Sequence, residues 1–246
     1  MMKILKRVSL FLLIGLLSGC GKETPKPNAI DPSTLSGMPV LTITTVSKDK
    51  NVMDFVTKPV TTHVANSIAS WTPNYVMPPA PYYEDCTVSV TYDANSEPLL
   101  DSVPAQVKVR GNWTTSYDKK PLRIKFAEPQ NLLGLNDGET FKNWLLLAEY
   151  KDASMLRNLT ALSLAREIMT EGDYYVSDAT FVEVVINGEY WGVYLLAEQQ
   201  QINKDRVSIT EAPEGYTGTD IGYFMEFDGY YMHEDPLQQF HVDYAD

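Results

Sequence analysis

Gln106-Val-Lys-Val-Arg-Gly-Asn-Trp-Thr-Thr-Ser-Tyr-Asp-Lys-Lys-Pro-Leu-Arg-Ile-Lys-Phe126 is the stretch whose reading decides the fold. Val107 and Val109 alternate with Lys108 and Arg110, and Leu122, Ile124 and Phe126 alternate with Arg123 and Lys125. A period of two sends successive side chains to opposite faces of a strand. The run therefore predicts two strands, apolar on one face and cationic on the other, joined by a polar loop around Gly111. Cations beside a loop that carries glycine and hydroxyls suit a phosphate, which takes charge-assisted hydrogen bonds. The same alternation also describes a solvated strand face.

Working outward, the flanking segments extend the β reading. Pro39–Val46 is β-branched and alternating, and Cys86–Tyr92 repeats the pattern, so both are expected as strands. Between them, residues 47–85 carry Pro73, Pro78, Pro79 and Pro81 with Trp71, Tyr75, Tyr82 and Tyr83, which reads as an irregular, aromatic-rich insertion. Asn143–Ala148 is a short apolar run. Phe181–Ile186 and Tyr190–Leu196 flank Asn187-Gly188, a strong hairpin signal. Ile221–Phe227 reads as one more strand.

A single helix is expected after Lys151-Asp152, with Asp152 or Ser154 as N-cap. Met155, Leu159, Leu162, Ala165 and Met169 recur at helical spacing, and Ala161, Leu164 and Ile168 thicken the stripe, so this helix is expected to be mostly buried. Strands, helix, hairpin and strand without βαβ alternation argue for an α+β fold with a mainly antiparallel sheet. Trp144 and Trp191 read as core residues, and Glu167 as an exposed late-helix carboxylate. Arg157 is expected to pair with Asp152 or Glu149, with facing the phosphate site as the alternative.

The amino terminus suggests a compartment. Lys3, Lys6 and Arg7 precede the apolar run Leu10–Leu17, too short to span a bilayer. Leu17-Ser-Gly-Cys20 resembles the lipobox of bacterial lipoproteins, which implies cleavage before Cys20 and lipidation of its thiol. The expected organisation is a lipoprotein signal peptide at 1–19, a Pro/Lys/Asn/Ser tether at 20–37 and one domain at 38–246. Location in the cell envelope, anchored through lipid and outside the cytoplasm, follows from that reading. Cys86 is then the one remaining thiol, which excludes an internal disulfide and reads as a small buried hydrophobe.

Charge narrows the partners. The chain carries 20 Lys and Arg against 32 Asp and Glu, a formal net charge of −12. Losing Lys3, Lys6 and Arg7 with a leader leaves 17 cations against 32 carboxylates, or −15. Such a surface disfavours nucleic acid and anionic lipid, so membrane association is expected through lipidated Cys20 alone.

The ordered motifs Arg110-Gly-Asn112, Lys119–Lys125, Leu133-Gly-Leu135, Trp144–Ala148, Leu156-Arg-Asn158, Val185–Gln199 and Gly222–Asp228 resemble those of the spore-coat protein H (CotH-type) atypical protein kinases. The resemblance covers about Pro39 to Asp228. It implies a protein-kinase-like fold and transfer of phosphate from ATP to protein Ser or Thr, with a divalent metal (Mg or Mn) as cofactor. Phosphoryl transfer rests on positioning and on neutralising phosphate charge. By analogy with kinases, Lys125 is the candidate strand lysine for the phosphates, with Arg123, Arg110 and Asn112 beside it. Glu198 and Gln199 fall where a hinge meets adenine through its backbone. Glu167 is the kinase-like alternative partner for Lys125. The family's catalytic aspartate and Asp-rich metal motif lie downstream of Gly222–Asp228, so catalytic residues are expected beyond Asp246, and the chain reads as the nucleotide-binding part, inactive alone. The alternative is a non-catalytic surface binding or scaffold module on the same fold.

Overall fold

The computed structural model describes residues 37–46, 83–92, 96–111, 113–169, 174–225 and 235–238. Seven strands form a closed barrel: β1 (Val40–Thr45), β2 (Glu84–Thr91), β3 (Leu100–Val109), β4 (Leu122–Gln130), β5 (Phe141–Leu147), β6 (Ala179–Ile186) and β7 (Glu189–Glu198). Their order around the barrel is β1-β2-β3-β4-β5-β7-β6, returning to β1. One helix, α1 (Arg157–Met169), precedes β6. The described residues are thus mostly β with one α-helix. The sheet is mainly antiparallel, as expected, with six antiparallel pairings and one parallel, β1 with β6; closure into a barrel was not expected.

The alternation in the opening stretch sets the barrel wall. Val107, Val109, Leu122, Ile124 and Phe126 point inward and are buried, joined by Leu41, Ile43, Val88, Val90, Trp144, Leu146, Val184 and Leu196. Each large side chain removed from water in this way contributes about 1.5–3 kcal/mol. Trp144 is fully buried, and its indole N–H donates to the carbonyls of Phe141 (3.2 Å) and Gln130 (3.3 Å). Cys86 is buried as expected, and burial pushes its thiol pKa up to about 12.

The Asn187-Gly188 hairpin forms as the sequence predicts, with φ of 51° and 80° at the two turn residues, the combination a tight primed turn requires. It also helps close the barrel. The Asn187 side-chain oxygen accepts from the Thr45 backbone N–H at 2.9 Å, and the Asn187 backbone N–H donates to the Ile43 carbonyl at 2.9 Å. The turn between β6 and β7 is thereby stitched to the end of β1.

Two expectations are corrected. The helix begins at Arg157, five residues after Asp152, and among its described residues none is buried. Leu159, Leu162 and Ala165 are half-buried, whereas Leu164 is 54% and Ile168 68% exposed. The apolar residues span more than half of the helix circumference, and among the described residues the strand that chiefly packs against it is β6. The segment Ile221–Met225 forms no strand: its backbone is unpaired by any strand, and Tyr223, Phe224 and Met225 are exposed. Alternation alone does not make a strand without a neighbour to take its ladder hydrogen bonds. The proposed leader, tether and Cys20, and all of the 47–85 insertion except Tyr83–Asp85, lie outside the described residues. No helix among the described residues is long and apolar enough to cross a membrane.

Candidate anion-binding site at the barrel mouth

At one end of the barrel three chain segments converge: the β3–β4 loop, the end of β5, and the turn that leads into α1. They enclose a cavity of about 390 Å³ lined by Arg110, Tyr117, Lys119, Tyr150, Lys151 and Arg157, with Glu149, Asp152 and Asn158 on its wall.

The β3–β4 loop is held by its own chemistry. Gly111 has φ of 99°, and a Cβ there would lie 2.3 Å from the Thr114 hydroxyl, so only glycine fits. The Arg110 N–H bonds the Pro121 carbonyl at 3.0 Å. The Lys120 ammonium turns back into the loop and donates to the carbonyls of Tyr117 (2.6 Å) and Thr115 (2.9 Å). Lys119 is thereby aimed across the mouth onto β7. Its ammonium donates to the Val193 carbonyl and sits 4.4 Å from the centre of the buried Tyr194 ring, a cation–π contact. Gly192 leaves room for it: a Cβ there would stand 3.7 Å from Lys119 Cε. Burial lowers the Lys119 pKa to about 8, with Glu149 pulling weakly the other way. Burial and the nearby Arg123 likewise disfavour charge on Arg110. Both cations are short of compensating charge, which favours an incoming anion.

The β5–α1 turn supplies the opposite wall. Glu149 and Met155 take positive φ (50° and 58°), sparsely populated conformations for residues with a Cβ. The Glu149 carboxylate accepts two bonds from the Asn158 amide, at 2.9 and 3.1 Å. Asp152 accepts from the N–H of Arg157 at the first turn of α1 (2.9 Å) and from the Ser154 N–H and hydroxyl. Its contact with the Arg157 guanidinium is 3.1 Å, the pairing expected from the sequence. The Arg157 N–H bond, then the Ser154 hydroxyl, lower the Asp152 pKa to about 2. Tyr117 and Tyr150 stack with centroids 5.4 Å apart, and the Lys151 ammonium lies over both rings. Cations, hydroxyls and a stacked aromatic pair in one concavity suit an anion that also carries a planar ring.

The residues singled out in the sequence are not all brought together. Arg110 lines the mouth, and Asn112 lies outside the described residues. Arg123 and Lys125 point outward from the barrel wall: Arg123 donates to the Asn143 side-chain oxygen at 2.8 Å, and Lys125 stands 5.8 Å from the Tyr83 ring. Glu198 sits three residues below Leu195 on β7, wholly buried, with its backbone N–H given to the Asp178 carbonyl at 3.1 Å. Its carboxylate accepts from Arg206 Nε (3.1 Å), the Asn136 amide (2.9 Å) and the Asp178 N–H (2.8 Å). Burial pushes that carboxyl up, and the Asp178 N–H and the Arg206 charge hold it back. Gln199 follows it, its side-chain oxygen buried without a hydrogen-bond partner. Glu167 is exposed. Lys119, Lys151 and the two tyrosines were missed, because loop residues show no periodicity. The signal that could have found Lys119 is its place beside Lys120-Pro121 in the opening stretch.

Fold and site define a β-barrel protein with a cation-lined cavity at its mouth. The matched family makes this specific: the family model described as CotH kinase protein matches residues 107–244, and the chain belongs to the CotH family. It is also 33% identical over 109 residues to the inner spore coat protein H of Bacillus subtilis (strain 168), a match covering 40% of this chain and 27% of that protein. The chain thus matches about a quarter of the length of that relative.

Proposed function

We infer that this chain is the nucleotide-binding part of a CotH-type protein kinase, transferring phosphate from ATP to protein Ser or Thr when the whole protein is present. The observation that carries the reading is the barrel mouth: Arg110, Lys119 and Arg157 around one cavity, with the Tyr117–Tyr150 stack at its rim. The three cations suit a polyphosphate, and a stacked ring suits a nucleobase. Lys119 takes the phosphate role given to Lys125 because Lys119 lines the cavity and Lys125 does not.

The divalent metal is a separate matter. Among the described residues no three His, Cys, Asp or Glu side chains come together to hold one. Glu149 and Asp152, the carboxylates at the mouth, are already occupied by Asn158, Ser154 and Arg157. These residues do not fit a metal site.

The name of the Bacillus relative, an inner spore coat protein, supports a place in the envelope or spore surface. Lipid anchoring at Cys20 is proposed on the lipobox-like sequence.

Titration calorimetry of the full chain with ATP and AMP, with and without magnesium, tests the nucleotide reading. Weak ATP binding is expected, little changed by magnesium, weaker still for AMP, and lowered at least fivefold by Lys119→Met. ATP binding unaffected by that substitution would remove Lys119 and the mouth from the reading. Tight magnesium-dependent binding would point to acidic residues after Gly222, of which Asp235 alone lies among the described residues up to Gln238.

A further inference from the structure

The outer face of β3 and β4 carries a row of cations, of which the barrel mouth uses only Arg110. Lys108 lies on β3 with Arg110 just past its end, Arg123 and Lys125 alternate on β4, and the register sets Lys108 directly opposite Arg123. Along the sheet the cations therefore fall in three successive rows: Arg110, then Lys108 with Arg123, then Lys125 opposite Gln106. Rows two residues apart are spaced about 6.7 Å, so the ribbon is about 13 Å long.

Like charges directly across a strand pair are destabilising. Here the cost is visible: burial, then the Arg123 charge, disfavour the charged form of Lys108. A chain with 32 carboxylates has ample means to neutralise such a row, yet among the described residues none forms an ion pair with Lys108, Arg110, Arg123 or Lys125. The polar neighbours are amides. Asn143 binds Arg123, and Gln106 holds the nearby Asp85 at 2.8 Å. The Tyr83 ring lies 5.0 Å from the Lys108 ammonium, bordering the ribbon on one side.

We propose that this ribbon docks an extended acidic segment of a protein partner, with carboxylates at alternate positions. An extended chain repeats its side chains on one face every two residues, so carboxylates at i, i+2 and i+4 match the three rows. The closed barrel has no free edge for strand addition, so recognition falls to side chains. Compactness argues against a long polyanion. Beyond the ribbon, nucleic acid, polyphosphate or an anionic membrane would meet a protein of net charge −12.

The inference does not depend on nucleotide binding at the mouth, and its test keeps the two apart. A fluorescent peptide with Glu alternating with Thr is titrated with the full chain by anisotropy at low and moderate salt. A peptide of equal charge with its Glu residues contiguous, polyphosphate, and vesicles of anionic lipid are run alongside. The alternating peptide is expected to bind saturably, more tightly than the contiguous one, with affinity falling as salt rises. Lys108→Ser with Lys125→Ser lies outside the mouth and should weaken the peptide about tenfold, each exposed charge pair contributing a factor of about three. ATP binding, unchanged in that variant, serves as the control for folding. If ATP binds neither chain, a far-ultraviolet spectrum matching the parent serves instead. No peptide binding, equal binding of both peptides, or insensitivity to the double substitution overturns the proposal. So does binding of polyphosphate or vesicles that is tighter than the peptide's and lost in the same variant.

Discussion

Replacing Glu198 with alanine separates a structural role from a ligand-binding one at the place where a kinase hinge was expected. The side chains of Glu198 and Arg206 are both fully buried, joined at 3.1 Å. Arg206 also donates to the Asn143 carbonyl (3.2 Å) and the Gln201 side chain (3.0 Å), and its guanidinium lies 3.6 Å above the Phe141 ring. Glu198→Ala would leave that guanidinium buried with neutral acceptors only, would strip the Asp178 N–H of its acceptor and would leave the Asn136 amide only the Asp205 carbonyl. Breaking one side of such a pair costs about 3–5 kcal/mol, whereas replacing both partners with apolar residues of like size is often close to neutral. With a urea slope of about 2 kcal/mol per molar, the single substitution should lower the unfolding midpoint by about 1.5–2.5 M. The fluorescence of Trp144, packed beside Arg206 and fully buried, reports the transition. Glu198→Leu with Arg206→Met should recover most of the loss. A single variant within 1 kcal/mol of the parent, or a double variant worse than the single, would refute the reasoning. If the single variant kept its stability and lost ATP binding, Glu198 would return to the site.

Three further outcomes follow from the geometry. Asp152 titrates near pH 2 when folded against 3.8 ordinarily, so its contribution to stability is complete above about pH 4 and is lost as pH falls toward 2. Asp152→Asn should flatten the stability profile in that window, as measured by urea unfolding at a series of pH values. Gly111→Ala places a methyl against the Thr114 hydroxyl in a left-handed conformation, which should cost about 1–3 kcal/mol and loosen ATP binding at the mouth; calorimetry and melting read the two effects. Leu164→Lys with Ile168→Lys alters an exposed side of α1 and should move stability by no more than about 0.5 kcal/mol per site; a larger loss in a melt would show that this side is covered.

What could be read from the sequence was local. The Val107/Val109 and Leu122/Ile124/Phe126 alternation gave the barrel wall and the sidedness of its cations, because a pleat enforces a period of two whatever the tertiary setting. The Asn187-Gly188 hairpin was legible for the same reason: two successive positive φ values need those residue types. Closure was not legible. It depends on Val40 pairing with Glu183 and on Asn187 reaching Thr45, contacts between distant segments that leave no periodic trace. The helix differs from expectation because its apolar arc, running from Leu164 and Ile168 round to Leu159, is wider than the side that the described residues cover. At the mouth, Arg110 was legible from strand alternation, but Lys119 was not. Its position comes from Gly192 making room on β7 and from Lys120 folding the loop, neither of which a strand pattern encodes.

The same comparison explains why the mouth needs side-chain cations. A helix N-terminus aimed at a cavity is a ready anion site, since its free N–H groups and dipole favour negative charge. In this protein Asp152 already takes the Arg157 N–H, so part of that potential is spent inside the protein on stabilising the helix start. An anion at the mouth must therefore be held by Arg110, Lys119 and Arg157, two of them disfavoured as charges by burial. Lys119 is the most exposed to this trade. Its ammonium is held by a carbonyl and an aromatic face, which satisfy its donors and partly screen its charge without neutralising it. A phosphate oxygen would complete the neutralisation and raise the Lys119 pKa from about 8 toward its usual range. Binding of a polyphosphate should thus take up a proton near pH 8, a linkage that follows from the burial of Lys119 itself.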